Sequence, residues 1–305
     1  MPFARRHLGS LALAVTVLTW ASAFPAITTG LRGYSPWSLG LARLLVAAVA
    51  LGVVAAVRPP GVPPRRLWWR VVLTGFVGQT AYQWLLMAGE VRVPAGTASI
   101  LIAIAPIFSV VGAAVLLGES ARGRWLGMGV ACAGAVLVGA SLGLGGGTAA
   151  LLVLAAAACQ GMYHVLVKPL AVELGAFSAT VWSVWAGAAL ALPALPGLLR
   201  DVPSAGAAAS ASAVYLGLVP TALGYVAWSV AVRRTPIAVS TVALYLVPVV
   251  AVLLAWWWLG ERPAGLALIG GALAVIGVIL TRRVVNPPHD LAEPLTPARP
   301  FRTVQ

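Results

Sequence analysis

Between Thr97 and Leu117 the chain runs for 21 residues without a charged side chain, and runs of this kind recur along its length. A helix needs about 20 apolar residues to cross the roughly 30 Å hydrocarbon core of a bilayer. Lipid offers no partners to backbone N–H and C=O groups, so a chain that crosses it must be helical or close into a barrel. The runs show no in–out alternation, which excludes the barrel. Composition points the same way: 61% of residues are hydrophobic and 9% are charged, against about 25% charged in ordinary soluble domains. So few charges leave an apolar surface that something other than water must cover.

The runs resolve into ten predicted spans, near Leu8–Thr28, Trp37–Val57, Trp68–Ala88, Thr97–Leu117, Gly123–Leu142, Ala149–Lys168, Phe177–Leu195, Ser212–Val232, Ile237–Trp258 and Ala264–Thr281. The first follows Arg5 and Arg6 like a secretory leader but continues into Trp20-Ala21-Ser22-Ala23-Phe24, and is expected to be retained. The proline-rich, polar tail over 286–305 is expected to be disordered. Cys132 and Cys159 lie inside apolar runs and suggest neither a disulfide framework nor a metal site; no cofactor is expected.

A net charge of +13 suggests nucleic acid at first sight, but its placement argues for a membrane. With the N-terminus inside, fifteen Lys and Arg side chains fall on the cytoplasmic side. Four fall outside (Arg32, Arg92, Arg200 and Arg262), and Arg43 lies within a span. This positive-inside bias predicts a plasma (inner) membrane protein with both termini cytoplasmic and the bilayer, not nucleic acid, as its surroundings.

Residues 75–138 align with 217–280 at a displacement of 142, without a gap. Arg92 meets Arg234, Pro94 meets Pro236, Pro106 meets Pro248, Gly118 meets Gly260 and Glu119 meets Glu261. The chain therefore divides into repeats over 8–142 and 149–281. Each has five spans, an odd number, so the second must be inverted relative to the first, as in transporter cores with a midplane site. Pro106 and Pro248 cannot donate to the carbonyls of Ile102 and Leu244, so both helices are expected to kink and to serve as symmetric gates. Gly118 and Gly260 suit left-handed helix caps. Glu119 and Glu261 then fall before the next helix, where an acid favours a helix N-terminus.

These features resemble the drug/metabolite transporter superfamily, EamA-type family. The resemblance is carried by the two repeats, by Trp20-Ala21-Ser22-Ala23-Phe24, by "SPWSLGLARLLVAA" (35–48), and by "AGTASILIAIAPIFSVVGAAVLLGE" (95–119) with "IAVSTVALYLVPVVAVLLAWWWLGE" (237–261). It implies a carrier of small metabolites, amino acids or related compounds, working by alternating access and often as an exporter. It also implies a cavity lined by the first, third, fourth, sixth, eighth and ninth spans. Thr28 departs from the family, whose first spans often carry lysine there.

The polar residues on those spans are the expected substrate contacts: Ser22, Gln79, Tyr82, Gln83, Ser99, Gln160, Tyr163, His164, Tyr225, Ser240, Thr241 and Tyr245, with Trp20, Phe24, Trp84 and Trp228 as aromatic walls. Gln79 with Gln83, and Gln160 with His164, are i,i+4 pairs on one helix face; each pair suits interhelical hydrogen bonding as well as a cavity. Arg43, about one turn inside its span, suits either snorkelling to the outer surface or holding an anion. No Asp or Glu is placed deep within a span, which leaves His164 as the intramembrane group that titrates near neutrality. Two rival classes fit the sequence less well. "GASLG" (139–143) matches a nucleophile elbow around Ser141 but sits at a helix end, against an intramembrane enzyme. A non-transporting scaffold leaves the inverted repeat unexplained. Gly123 and Gly127 have the small-xxx-small spacing that packs helices within one chain or across a homodimer.

Overall fold

The computed structural model describes residues 2–117, 125–235 and 243–283, and every regular element among them is helical. Helices α1 (Pro2–Gly30) and α2 (Pro36–Val57) are followed by α3 (Trp68–Gly75), a π-helical segment Phe76–Ala81 and α4 (Tyr82–Glu90), joined end to end. Next come α5 (Ala95–Ile102), α6 (Ala105–Leu117), α7 (Trp125–Ala140), α8 (Gly143–Leu174), α9 (Ala176–Ala191) and α10 (Leu195–Asp201). Helix α11 (Gly206–Leu216), a second π-helical segment Gly217–Leu223 and α12 (Gly224–Arg234) again run on without a break; α13 (Leu246–Leu259) and α14 (Gly265–Arg283) follow. Six stretches are long and apolar enough to cross a membrane, and α7, α13 and most of α14 form shorter apolar helices. Ser240, Thr241, Gly118, Glu119 and the tail over 286–305 lie outside the described residues.

Small side chains let these helices approach. Lipid tails are as apolar as a protein core, so membrane helices associate through close packing rather than through release of water. The buried set is accordingly rich in alanine, including Ala21, Ala26, Ala47, Ala98, Ala131 and Ala156. Helix α1 occupies the interior: 67% of its apolar window is buried, against 39% for α2 and 44% for the α11–α12 stretch. Large apolar side chains such as Val115, Trp125 and Trp257 point outward, as a lipid-facing surface requires. Helices α7 and α14 meet almost backbone to backbone. A Cβ at Gly134 would strike the Ala274 N–H and the Gly270 carbonyl, and one at Gly277 would lie 2.6 Å from the Gly127 carbonyl. Gly127 is therefore used for packing within the chain.

The two π-helical segments lie at the repeat displacement, since Phe76 and Ala81 correspond to Leu218 and Leu223. Each packs on the second helix of the opposite half. A Cβ at Gly75 would sit 2.7 Å from Ala186 of α9, and one at Gly217 would sit 2.8 Å from the Arg43 carbonyl of α2. The Thr80 hydroxyl adds a bond to the Gly187 carbonyl at 2.8 Å.

Both proline-bearing stretches are interrupted as expected, just ahead of the ring. Ala103 and Ile104 form a turn between α5 and α6, and Leu244 and Tyr245 form the matching turn before α13. Gly260 takes the left-handed cap (φ 72°), so its N–H and that of Glu261 turn back to the carbonyls of Trp256 and Ala255 at 3.0 and 3.3 Å. The Glu261 carboxylate corrects the expectation for its partner. It accepts the N–H groups of Ala95 and Gly96 at 3.2 and 3.3 Å, capping α5 in the other half rather than the helix that follows it. Helix α8 extends beyond the expected span at both ends. Its Gly-rich start reads locally as a loop, yet the helix runs through it, at a propensity cost of about 1 kcal/mol per glycine.

Candidate functional site

Leu39, Arg43, Ala47 and Leu51 follow one another at four-residue intervals on α2, and all four are buried. Side chains four apart lie on one helix face, so Arg43 points into the protein and the snorkelling reading falls. Its Nε donates to Thr221 Oγ1 at 2.9 Å, across a sequence separation that joins the two halves. The Thr221 hydroxyl in turn donates to the Leu216 carbonyl at 2.8 Å, the five-residue step of a π turn. π turns inside α-helices recur at functional sites because they re-aim side chains. Here the second segment aims Thr221 at Arg43.

The first π segment holds Gln79 in the position that corresponds to Thr221. Its Nε2 donates to the Tyr225 hydroxyl at 3.3 Å, and Tyr225 in turn corresponds to Gln83. Each half thus presents polar groups to the other at the same level of its third helical stretch. Tyr82 and Tyr225 lie within electrostatic reach of Arg43. The wall beside Tyr225 is aromatic: Trp20 meets it edge to face at 5.9 Å, and Trp228 lies 5.7 Å from Trp20. Gly224 makes room for the indole, since a Cβ there would be 2.7 Å from Trp20 Nε1. On the opposite side the Tyr163 ring lies against Gly78.

Gln79 and Gln83 are fully buried, and among the described residues neither Oε1 has a hydrogen-bond donor; the buried Oε1 of Gln160 has none there either. The widened π turn explains why the two glutamines do not act as an ordinary i,i+4 pair: Gln79 is committed sideways to Tyr225. Ser22 and Ser99 are satisfied by the protein. Ser22 accepts the Tyr215 hydroxyl at 2.7 Å and donates to the Thr19 carbonyl at 2.9 Å, while Ser99 donates to the Gly96 carbonyl at 2.6 Å. His164 is exposed on α8, turned away from the Tyr163 face, and its ring lies 5.8 Å from that of Tyr163. Tyr245 sits half-buried in the turn before α13, ahead of a buried Pro248, and Pro106 is half-buried in α6. Trp84 faces the connection between α1 and α2. It meets Trp37 edge to face at 5.4 Å and, with Ser35, Ser38, Arg200 and Asp201, lines an open cavity of about 630 Å³.

Glu90 is a second residue whose setting the sequence concealed. It ends α4, where a carboxylate ordinarily meets water, yet it is only 4% exposed. Its Oε2 accepts from the Thr28 hydroxyl at 3.5 Å, and its Oε1 has no partner among the described residues. Thr28 therefore faces a buried acid. Among the described residues no three His, Cys, Asp or Glu side chains converge as metal ligands would. Ser141 follows the last turn of α7 and donates to the Val138 carbonyl at 2.6 Å, which is no setting for a nucleophile.

Comparison with known proteins agrees with this architecture. The EamA-like transporter family matches twice, over residues 7–140 and 147–283. The chain is 50% identical over 282 residues to a probable terminal-alkyne amino-acid exporter of Streptantibioticus cattleyicolor, covering 89% of this chain and 92% of that one. It is 35% identical over 272 residues to the uncharacterized transporter YdfC of Bacillus subtilis, covering 88% of each. It is 29% identical over 290 residues to a probable amino-acid metabolite efflux pump of Escherichia coli, covering 90% of this chain and 94% of that one. A crystal structure of a protein 22% identical matches with a TM-score of 0.63 over 92% of this chain and 98% of its own, which shows the fold.

Proposed function

The chain belongs to the EamA-like transporter family and is a membrane transporter, not an enzyme, and from that premise we propose that it exports amino acids or closely related metabolites. One observation carries the reading on to a site. A buried cluster at the seam of the two halves combines a guanidinium, two tyrosines and glutamine oxygens without donors. A midplane binding site needs a few such groups among apolar and aromatic walls. Gln79, Gln83, Gln160, Tyr82, Tyr163 and Tyr225 are the contacts proposed for cargo, with Trp20 beside them.

The arrangement proposed around this site is ten spans in two inverted five-helix repeats, 8–142 and 149–281. Both termini and the tail over 286–305 are cytoplasmic in the inner membrane. The fifteen-to-four charge asymmetry supports the orientation. Cross-packing of the π segments and the capping of α5 by Glu261 support halves related by a pseudo-twofold axis. Alternating access then consists of rocking these halves about the seam, with the interruptions ahead of Pro106 and Pro248 as the yielding points. Purified protein in liposomes should exchange labelled amino acids across the membrane. A folded protein that moves none of them is a scaffold and refutes the proposal.

A further inference from the structure

We propose that Arg43 docks the carboxylate of the cargo, so that this transporter selects solutes with a free carboxylate; the inference rests on the amino-acid reading above. An arginine keeps its charge at every accessible pH. A buried charge needs a partner, because the surroundings cannot replace the water it has lost. Arg43 is buried on the inner face of α2, yet its bond to Thr221 is the one hydrogen bond its guanidinium makes among the described residues. The ion pair among those residues is elsewhere, at the surface between Arg66 and Glu173. Glu90 lies within electrostatic reach of Arg43 but forms no ion pair with it; its Oε2 faces Thr28.

The guanidinium is therefore a held donor with no anion in direct contact among the described residues. Engaging Nε fixes the plane of the fork and leaves both Nη groups, the pair that meets a carboxylate side by side. Thr221, which holds it, belongs to the π segment of the opposite half, so the docking residue spans the seam that must move. The unpartnered oxygens of Gln79, Gln83 and Gln160 supply acceptors suited to an ammonium. Together these groups offer a donor fork for a carboxylate and acceptors for an ammonium, with Trp20 and Tyr225 as an aromatic wall.

The test uses full-length protein in liposomes. Counterflow of a panel of labelled neutral amino acids first identifies a cargo. Uptake of none would overturn the amino-acid reading beneath the inference. The cargo's own carboxamide, which keeps the side chain and ammonium but lacks the anion, then competes against it. The expected result is competition weaker than that of the free acid by about tenfold or more, the scale of a lost charge-assisted bond. Equal competition overturns the role of Arg43 and leaves the amino-acid reading standing. Arg43→Gln should raise KM for the acid by about tenfold or more and abolish the preference for acid over amide, while Arg43→Lys retains part of that preference. An unchanged preference in folded Arg43→Gln protein also overturns it. The wild-type competition decides the matter if the variant does not fold.

Discussion

Replacing Thr221 with valine changes little in volume and removes one hydroxyl, which accepts from Arg43 Nε at 2.9 Å and donates to the Leu216 carbonyl at 2.8 Å. Hydrogen bonds to charged groups contribute about 1.5–3 kcal/mol, whereas polar contacts between membrane helices average about 0.6 kcal/mol and reach about 1.7. The Arg43–Thr221 bond has a charged donor and two buried partners, which places it toward the upper end of the membrane range, at about 1–2 kcal/mol. A double-mutant cycle isolates that value. Wild type, Thr221→Val, Arg43→Met and the double variant are unfolded by titrating a denaturing detergent into mixed micelles. The lost bond to Leu216 is common to both valine-containing proteins and cancels, leaving the coupling across the seam. Additivity within about 0.5 kcal/mol, as for independent sites, would refute the claim that Arg43 is held by the opposite half.

Gly134→Leu should abolish the folded yield, because its Cβ would enter the backbone of α14, whereas Gly129→Leu, with open space around it, should purify normally; monodispersity on size exclusion checks both. Pro106→Ala and Pro248→Ala should lower transport more than abundance, by restoring the hydrogen bonds whose absence lets the helices bend; wild-type flux at normal abundance removes the gating role. Cysteines introduced at 143–148 should react with an impermeant thiol reagent from outside and cysteines at 286–305 only from inside, and the reverse pattern refutes the orientation.

Much of the architecture is legible because bilayer length, the lack of alternation and paired Pro, Gly and Glu residues are local facts. The interruptions ahead of Pro106 and Pro248 and the left-handed Gly260 follow from the residues at those positions alone. The partners are another matter. Glu261 caps a helix in the opposite half, and no local rule connects it to Ala95. The inward aim of Arg43 was available in principle, from the four-residue series Leu39, Arg43, Ala47 and Leu51, but its depth in the span fits a snorkelling arginine equally well. The π segments escaped because an i,i+4 argument assumes α geometry, and that assumption paired Gln79 with Gln83 instead of Tyr225. Glu90 reads as a solvated helix end until α1 is seen to cover it through Thr28. His164, four residues after Gln160 on α8, is exposed, a degree of exposure that spacing alone does not fix.

The central claim is that the polar groups at the seam touch cargo rather than merely joining helices. Leucine replacements at Gln79, Gln83, Gln160 and Tyr163, assayed together for transport kinetics in liposomes and for thermal stability in detergent, test it most directly. The account predicts a raised KM or lost flux in protein whose abundance and melting temperature hold, because three of these side chains carry an oxygen that no group among the described residues satisfies. Variants that melt earlier but transport with unchanged substrate dependence would show the cluster to be interhelical packing and contradict the account.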